Sequence, residues 1–414
     1  MTRLQRIKAD EMLRDRRSPV DAATLHGAAV IVEDVRSRGE AAVREYSERF
    51  GDLSPADPIV RDQRHLNTAL DRVDSSIREL LERVAGRIEA FAREQRSCLL
   101  DLNTTVDGGR AGHRWLPVDT TGAYAPGGRY PLPSSVLMTV IPARVAGVDE
   151  VWVASPRPTL VTLAAAAVAG ADGLLAIGGA QAIAALTFGT FSPPSDVVVG
   201  PGNRWVTAAK KHLYGEIGID GLAGPSEIVV VADGTADPRL VAADLLAQAE
   251  HDPDALPILV TDTPSLVEDV ELMLDDQLAT LPTAGVAKSA LDAGSVIVVA
   301  SREEAVELCN RIAPEHLALH MDDSVAMAAR FSSYGSLFVG SDSAEVFADY
   351  GAGPNHVLPT DGGARYQSGL SVTTFLKAPT WLALTDPAAT AEDAASLARL
   401  EGLEAHARAA ELRM

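Results

Sequence analysis

Cysteine is nearly absent from this chain of 414 residues. There are two, Cys98 and Cys309, far apart and in no CxxC pair. That excludes a cysteine-built metal knuckle and a disulfide framework, and it fits a reducing, cytoplasmic setting. Positive charge is also scarce. Lys and Arg total 36 against 57 Asp and Glu, a formal net charge of −21. So acidic a surface repels phosphate backbones and anionic lipid, which argues against nucleic-acid and membrane partners. No long apolar run exists: the most apolar stretch, 160–171, stops at Asp172, short of the roughly 20 residues a spanning helix needs. The opening residues, Met1 to Lys8, carry charge and lack the apolar core of a secretory signal. There is no GxGxxG, no internal repeat and no low-complexity tract.

What is present is ordinary globular material, 47% apolar and 22% charged, long enough for two or three domains. The first 100 residues or so read as helical. In 75–96, Ile77, Leu80, Leu81, Val84, Ile88 and Phe91 recur at spacings of three and four. From about residue 149, short Val- and Ile-rich runs alternate with helix-like stretches. Strands are expected at 151–154, 174–177, 197–199, 228–231, 258–261, 296–300 and 337–339, with helices at 160–169, 180–186, 206–212, 238–251 and 303–311. That alternation predicts parallel sheets covered by helices, two of them given the number of strands. From 371 the chain is short, mixed and ends in an Ala-rich helix, with Thr390 and Asp393 spaced as a capping box. Such a tail has too little apolar surface for its own core and must dock elsewhere.

Four segments gather residues able to do chemistry. In Gln248-Ala249-Glu250-His251, at the end of a helix opened by Asp237-Pro238, the amide and imidazole are three apart on one face, a spacing that lets two side chains reach one metal. A helix-terminal His stabilised by the dipole is the plainer reading of that segment alone. Ala313-Pro314-Glu315-His316 places two proton-transfer groups side by side after a proline break, or else a surface pair opening a helix. Asp349 and His356 flank a Gly- and Pro-rich loop that can approach a ligand closely. In the tail, Glu401 and His406 are five apart, about 140° around an ideal helix, and Gly402 can break that helix. Gln248, His251, Asp349 and His406 would together make an amide, carboxylate and two-imidazole set suited to Zn²⁺, provided they meet in space. Two Gly-rich turns, Gly178-Gly179-Ala180-Gln181 and Gly200-Pro201-Gly202-Asn203, follow strands and precede helices, where an α/β sheet binds nucleotide. Each alone is more readily a tight turn than a phosphate site.

Taken in order, Tyr124-Ala125-Pro126-Gly127-Gly128, the two Gly turns, Gly224-Pro225-Ser226-Glu227, Gln248–His251, Pro314-Glu315-His316-Leu317, Gly353 to Thr360 and Ser368 to Val372 resemble the histidinol dehydrogenase family, from about residue 20 to 410. The resemblance implies an NAD- and zinc-dependent oxidation of L-histidinol to L-histidine through L-histidinal, two hydride transfers and the last step of histidine biosynthesis. It implies zinc ligands Gln248, His251, Asp349 and His406, a general base at His316 and a water-activating Glu315. Substrate contacts would be Ser226, His316, Asp349 and Glu401 with His356 and the metal ligands; NAD contacts would be Tyr124, Gln181 and Asn203. It also implies a homodimer whose tail enters the partner's active site, and so a home for the tail. The expected fold is two Rossmann-like α/β domains: a helical segment 1–20, a first domain from 21–123 plus 228–370, a second NAD-binding domain 124–227, and a docked tail 371–414. One departure is Arg129-Tyr130, where small residues are frequent in the family. It leaves a sister dehydrogenase for another small polar alcohol as the alternative. A zinc hydrolase would lack NAD binding altogether, and a non-catalytic metal protein would keep its function in Glu315→Gln and His316→Asn.

Overall fold

The computed structural model describes residues 4–13, 20–127 and 131–414; Arg129 and Tyr130 lie outside them. The apolar runs expected as strands are strands, with ends moved by one or two residues, and they sort into two six-stranded sheets. The first sheet is all parallel, in the order Gln5–Arg6, Ser295–Val298, Leu256–Thr261, Glu227–Ala232, His316–His320, Ser336–Val339. Its central strands are buried on both faces, as β-branched parallel strands must be when helices cover each side. The pleat divides them cleanly. Ile228, Val230 and Ala232 join one apolar cluster, and Val229 and Val231 join the other.

The second sheet runs Gly218–Ile219, Val197–Val199, Thr120–Tyr124, Glu150–Ala154, Gly173–Leu175, with Val60–Asp62 antiparallel at the edge. That last strand corrects the expected domain division. Of residues 21–123, assigned to a domain with 228–370, the helices up to Ser97 and the strand Thr120–Tyr124 fold with the second sheet instead. Strand Val60–Asp62 is hydrogen-bonded into that sheet. The apolar stripes of helices Ala22–Arg38 (Ala28, Ile31, Val32, Val35) and Ser75–Ser97 (Leu81, Ala85, Ile88, Ala92) share one core with Val151, Val153, Leu174 and Val198. Further along, Val357, Leu370, Val372 and Phe375 also enter this core, so the chain after 350 crosses from the first body to the second. The described residues of the opening segment, expected to be helical, hold the edge strand Gln5–Arg6 and the short helix Ala9–Met12.

In the tail, Thr380–Leu384 pairs antiparallel with Gly109–His113, which pairs with Leu102–Val106. Helices Ala388–Leu400 and Glu404–Glu411 then pack on each other, burying only Ala391, Ala395 and Ala407. Gly402, at φ +77°, separates them, as its position predicts. The capping box at Thr390 does not form. The helix starts two residues earlier, after Pro387, whose fixed φ suits a helix entry, and no side chain caps it. No described helix is long and apolar enough to cross a membrane.

Candidate active site

The chemistry-bearing residues of the first sheet lie at the N-terminal edge of its strands. Glu227 opens one central strand and His316 opens its neighbour, with Ile228 and His316 in register. Helix Pro238–Ala249 is started by the Asp237 cap, whose carboxylate accepts from the Arg239 amide at 2.9 Å. It runs back to that same edge and delivers Gln248 in its last turn. His251 lies just past the helix end, its amide donating to the Gln248 carbonyl at 3.3 Å. The short helix Glu345–Asp349 supplies Asp349, and the loop beyond it supplies His356.

Asp349 stands between two imidazoles. His251 Nε2 is 3.9 Å from Asp349 Oδ2, and His316 Nε2 is 3.8 Å from Oδ1. Both gaps exceed a hydrogen bond. The tautomers follow from the partners. His316 Nδ1 is 3.2 Å from the Glu227 carbonyl, which can only accept, so Nδ1 carries the proton and Nε2 the lone pair. His356 Nδ1 likewise donates to the Asp349 carbonyl at 3.0 Å, and its Nε2 accepts from the Ser135 hydroxyl at 3.3 Å. Glu315 is fastened by a reciprocal bridge. Its Oε2 accepts from the Glu227 amide at 2.9 Å, and its own amide donates to Glu227 Oε1 at 3.3 Å.

Burial sets the charges. It pushes the Asp349 carboxyl up to about 7. It drives Glu315 and Glu345 well above the usual carboxylate range, for Glu345 with help from Asp349 and Asp244 nearby. Burial holds His316 down to about 3 and His356 to about 4, against hydrogen bonds to backbone carbonyls that pull the other way, and it lowers His251 as well. The imidazoles are therefore neutral, His316 with its Nε2 lone pair free, and the buried acids hold their protons more tightly than exposed ones. Several buried polar atoms have no partner: both amide atoms of Gln248, His316 Nε2, Asp349 Oδ1 and both oxygens of Glu345. Buried polar groups are rarely left so. A divalent cation fits this set of hard oxygen and imidazole donors and would satisfy it. The acidic group Asp233, Asp322 and Asp323 needs none, because Arg302 already pairs with each, at 2.8, 3.1 and 2.7 Å.

Of the residues singled out in the sequence, Gln248, His251, Glu315, His316, Asp349 and His356 come together. Ser226, half-buried, immediately precedes the Glu227 strand. Glu401 and His406 do not join them within one chain: both are exposed on the tail helices, with no hydrogen bond or ion pair to the cluster among the described residues. The reading of Glu315-His316 as a surface pair opening a helix fails, since both are buried and His316 starts a strand. Sequence reasoning missed Glu345 and the anchoring role of Glu227. Glu345 carried a usable signal, lying four residues before Asp349 and so on the same helical face.

Tyr124, Gln181 and Asn203 occupy a second edge, the C-terminal ends of the second sheet's strands. The Tyr124 hydroxyl accepts from the Gly179 amide at 3.3 Å, and burial raises its phenol to about 12, keeping it neutral. Asp52, unforeseen from the sequence, accepts from the Gly178 amide at 2.9 Å and from Gln181 Nε2 at 3.2 Å. Asn203 caps helix Arg204–Leu213, its Oδ1 accepting from Trp205 at 3.0 Å and Val206 at 3.3 Å. Gly200 is held at φ +109°, and a Cβ there would stand 2.0 Å from the Tyr124 carbonyl. Its peptide is gripped by the buried Lys210–Asp220 pair: Lys210 Nζ donates to Gly200 O at 3.2 Å, and Gly200 N donates to Asp220 at 2.7 Å. Two helix N-termini at the C-terminal ends of parallel strands form the kind of edge where an α/β sheet takes a dinucleotide.

The family model described as histidinol dehydrogenase matches residues 15–414. The histidinol dehydrogenase of Thermus thermophilus is 48% identical over 388 residues, covering 92% of this chain and 93% of the relative. That of Haloarcula marismortui is 44% identical over 401 residues, covering 95% and 94%. The crystal structure of histidinol dehydrogenase from Elizabethkingia anophelis superposes with a TM-score of 0.92 at 32% identity, over 99% of this chain and 98% of that one. A two-sheet α/β scaffold, an acid–imidazole cluster at one edge and relatives matched along almost their whole length agree on one assignment: the chain belongs to the histidinol dehydrogenase family of oxidoreductases.

Proposed function

We propose that this chain oxidises L-histidinol to L-histidine through L-histidinal, with NAD as hydride acceptor and one zinc ion per subunit, in a homodimer. The observation that carries the reading is His316. Its tautomer is fixed by the Glu227 carbonyl, and its unprotonated, unpartnered Nε2 faces the Asp349 carboxylate across 3.8 Å. When bound, zinc supplies a positive anchor for the substrate's imidazole and amine, and NAD⁺ accepts hydride.

The chain's own residues then act in turn. Gln248, His251 and Asp349 hold the ion, joined by His406 from the partner's tail. Ser226, His356 and the partner's Glu401 orient the substrate, so that its alcohol carbon meets the nicotinamide. His316 Nε2 takes the hydroxyl proton as hydride leaves carbon, giving the aldehyde and one NADH. Glu315, whose carboxyl burial raises and so makes a stronger base than an exposed carboxylate, takes a proton from water attacking the aldehyde. A second hydride transfer yields the acid and a second NADH. Tyr124, Gln181 and Asn203 contact NAD.

The tail supports the shared site. Leu400 and Leu412 are 84% and 87% exposed on a helix pair that buries three alanines. An apolar surface of this kind fits a neighbouring subunit. The test is NADH formed per L-histidinol consumed, with the product identified, before and after chelation and zinc add-back. Two NADH, histidine as product and zinc-restored activity are expected. No turnover of histidinol by zinc-loaded protein, with NADH formed from another small polar alcohol, would move the substrate to the sister-enzyme alternative.

A further inference from the structure

We propose that Asp52 is a positioning residue of the cofactor edge: it takes the Gln181 amide nitrogen and so leaves the Gln181 oxygen to hold a ribose hydroxyl of the cofactor, not a phosphate. This rests on the NAD reading above.

Asp52 lies between helix Glu40–Arg49 and strand Val60–Asp62. One of its oxygens, Oδ2, accepts from the Gly178 amide at 2.9 Å and from Gln181 Nε2 at 3.2 Å. A carboxylate oxygen so engaged can only accept, which identifies the end of the Gln181 amide facing it as nitrogen. The other end, Oε1, has no partner, although Gln181 is only 1% exposed. A buried amide oxygen is seldom left so. It can only accept, and its missing partner must therefore carry a hydrogen. An ionised phosphate has none. The helix N-terminus beside it is also closed to phosphate, because Asp52 already occupies the Gly178 amide and brings a negative charge. The surroundings narrow the donor. Gln181 Oε1 lies against Gly179, where a Cβ would stand 2.9 Å from it. The Gly179 amide donates to the Tyr124 hydroxyl at 3.3 Å, and among the described residues the phenol's own hydrogen has no acceptor. A free acceptor and a free donor thus meet at one glycine. A sugar hydroxyl satisfies both through a single oxygen, accepting from Tyr124 and donating to Gln181.

The experiment measures dissociation constants by calorimetry on the full-length chain. The ligands are NAD⁺, its analogues deoxygenated on the adenosine ribose or on the nicotinamide ribose, and the acetylpyridine analogue, which lacks the carboxamide hydrogens. In the unaltered chain one deoxy analogue should bind about five- to ten-fold more weakly than NAD⁺. In D52A the Gln181 amide is free to turn, so NAD⁺ should weaken to about that analogue's level and the gap between them should close. D52N should keep the gap, because its amide oxygen accepts the same two hydrogen bonds without the charge. A gap of unaltered size in D52A would overturn the role of Asp52 and leave the NAD reading standing. A gap closed in D52N as well would overturn positioning in favour of charge. Weakening confined to the acetylpyridine analogue would overturn the hydroxyl as the group held. Failure of the unaltered chain to bind NAD⁺ would overturn both this assignment and the NAD reading. Should D52A fail to fold, D52E keeps the charge but moves the oxygens by one methylene. A closed gap in it supports the assignment, and a retained gap overturns it.

Discussion

The two edges that carry the candidate site are built on opposite principles. At the C-terminal edge of the second sheet most polar groups have a partner inside the chain, with Gln181 Oε1 and Ser155 Oγ the exceptions. Asn203 caps its own helix, Tyr124 accepts from Gly179, Asp52 holds Gly178 and Gln181, and Lys210 with Asp220 grips the Gly200 peptide from both sides. At the N-terminal edge of the first sheet the reverse holds. Gln248, Glu345, Asp349 and His316 are buried with polar atoms that nothing in the chain satisfies. One edge is a finished surface onto which a ligand can be laid. The other is a charged hollow whose energy balance closes only when something else enters it. Damage to the first should therefore appear mainly as lost stability, and damage to the second as lost chemistry with little or no cost to folding.

The largest effect is expected at the unfinished edge. His316→Asn removes the buried, unpartnered Nε2 lone pair facing Asp349 and should lower turnover by about two to four orders of magnitude, while the thermal midpoint stays near that of the unaltered protein. Near-normal turnover would remove His316 from the role of base. Glu315→Gln should slow oxidation of added L-histidinal more than oxidation of L-histidinol to the aldehyde; equal loss in both would contradict water activation. The finished edge should answer differently. Lys210→Met leaves Asp220 buried and unpaired, so it should cost about 3–5 kcal/mol of stability, read by denaturant unfolding.

An intermediate effect tests the unfinished edge by pH. Asp349 is raised from an ordinary carboxylate value to about 7, so the folded chain holds its proton more tightly than the unfolded chain does. Its contribution to stability is present at low pH and is lost as pH rises through 7; Glu315 and Glu345 act in the same direction. His316 and His356, depressed to about 3 and 4, act oppositely, but only below the ordinary imidazole value of about 6.5. Above that pH the acids are unopposed. The chelated protein should therefore lose stability between about pH 6.5 and 8, and zinc should abolish the loss. Asp349→Asn should raise the stability of the metal-free protein at pH 8 by on the order of 2–4 kcal/mol and remove the response to zinc. A flat profile in the chelated protein would break the contrast between the edges.

The sequence disclosed most of the first principle and little of the second. Runs such as Ile228 to Val231 and Ile258 to Thr261 could be read as strands because β-branched residues buried on both faces leave no polar alternation. Thr120–Tyr124 has no such run and includes Gly122, and His316–His320 carries a histidine at each end, so neither looked like a core strand. The helices of residues 21–123 show their apolar stripes plainly, yet a stripe does not say which sheet it will cover; the pairing of Val60–Asp62 with Gly173–Leu175 decides that, and it is a long-range event. Glu345 is one of 57 acidic residues. What distinguishes it is burial without a partner, a property of packing that composition cannot carry.

The smallest expected effect separates structure from cofactor within a single side chain at the finished edge. Backbone amides of Trp205 and Val206 both donate to Asn203 Oδ1, which leaves the Nδ2 donor to face outward. Asn203→Ala removes cap and donor together, and should cost about 1 kcal/mol of stability as well as affinity for NAD. Asn203→Asp keeps the cap, since a carboxylate accepts the same two amides and suits the positive end of a helix, but it loses the donor and sets a negative charge beside an anionic ligand. Its stability should match the unaltered protein while its dissociation constant for NAD, measured by calorimetry, rises several-fold. If Asn203→Asp binds NAD as well as the parent, Asn203 is a helix cap alone, and the cofactor contacts at this edge must come from Tyr124, Gln181 and the backbone amides.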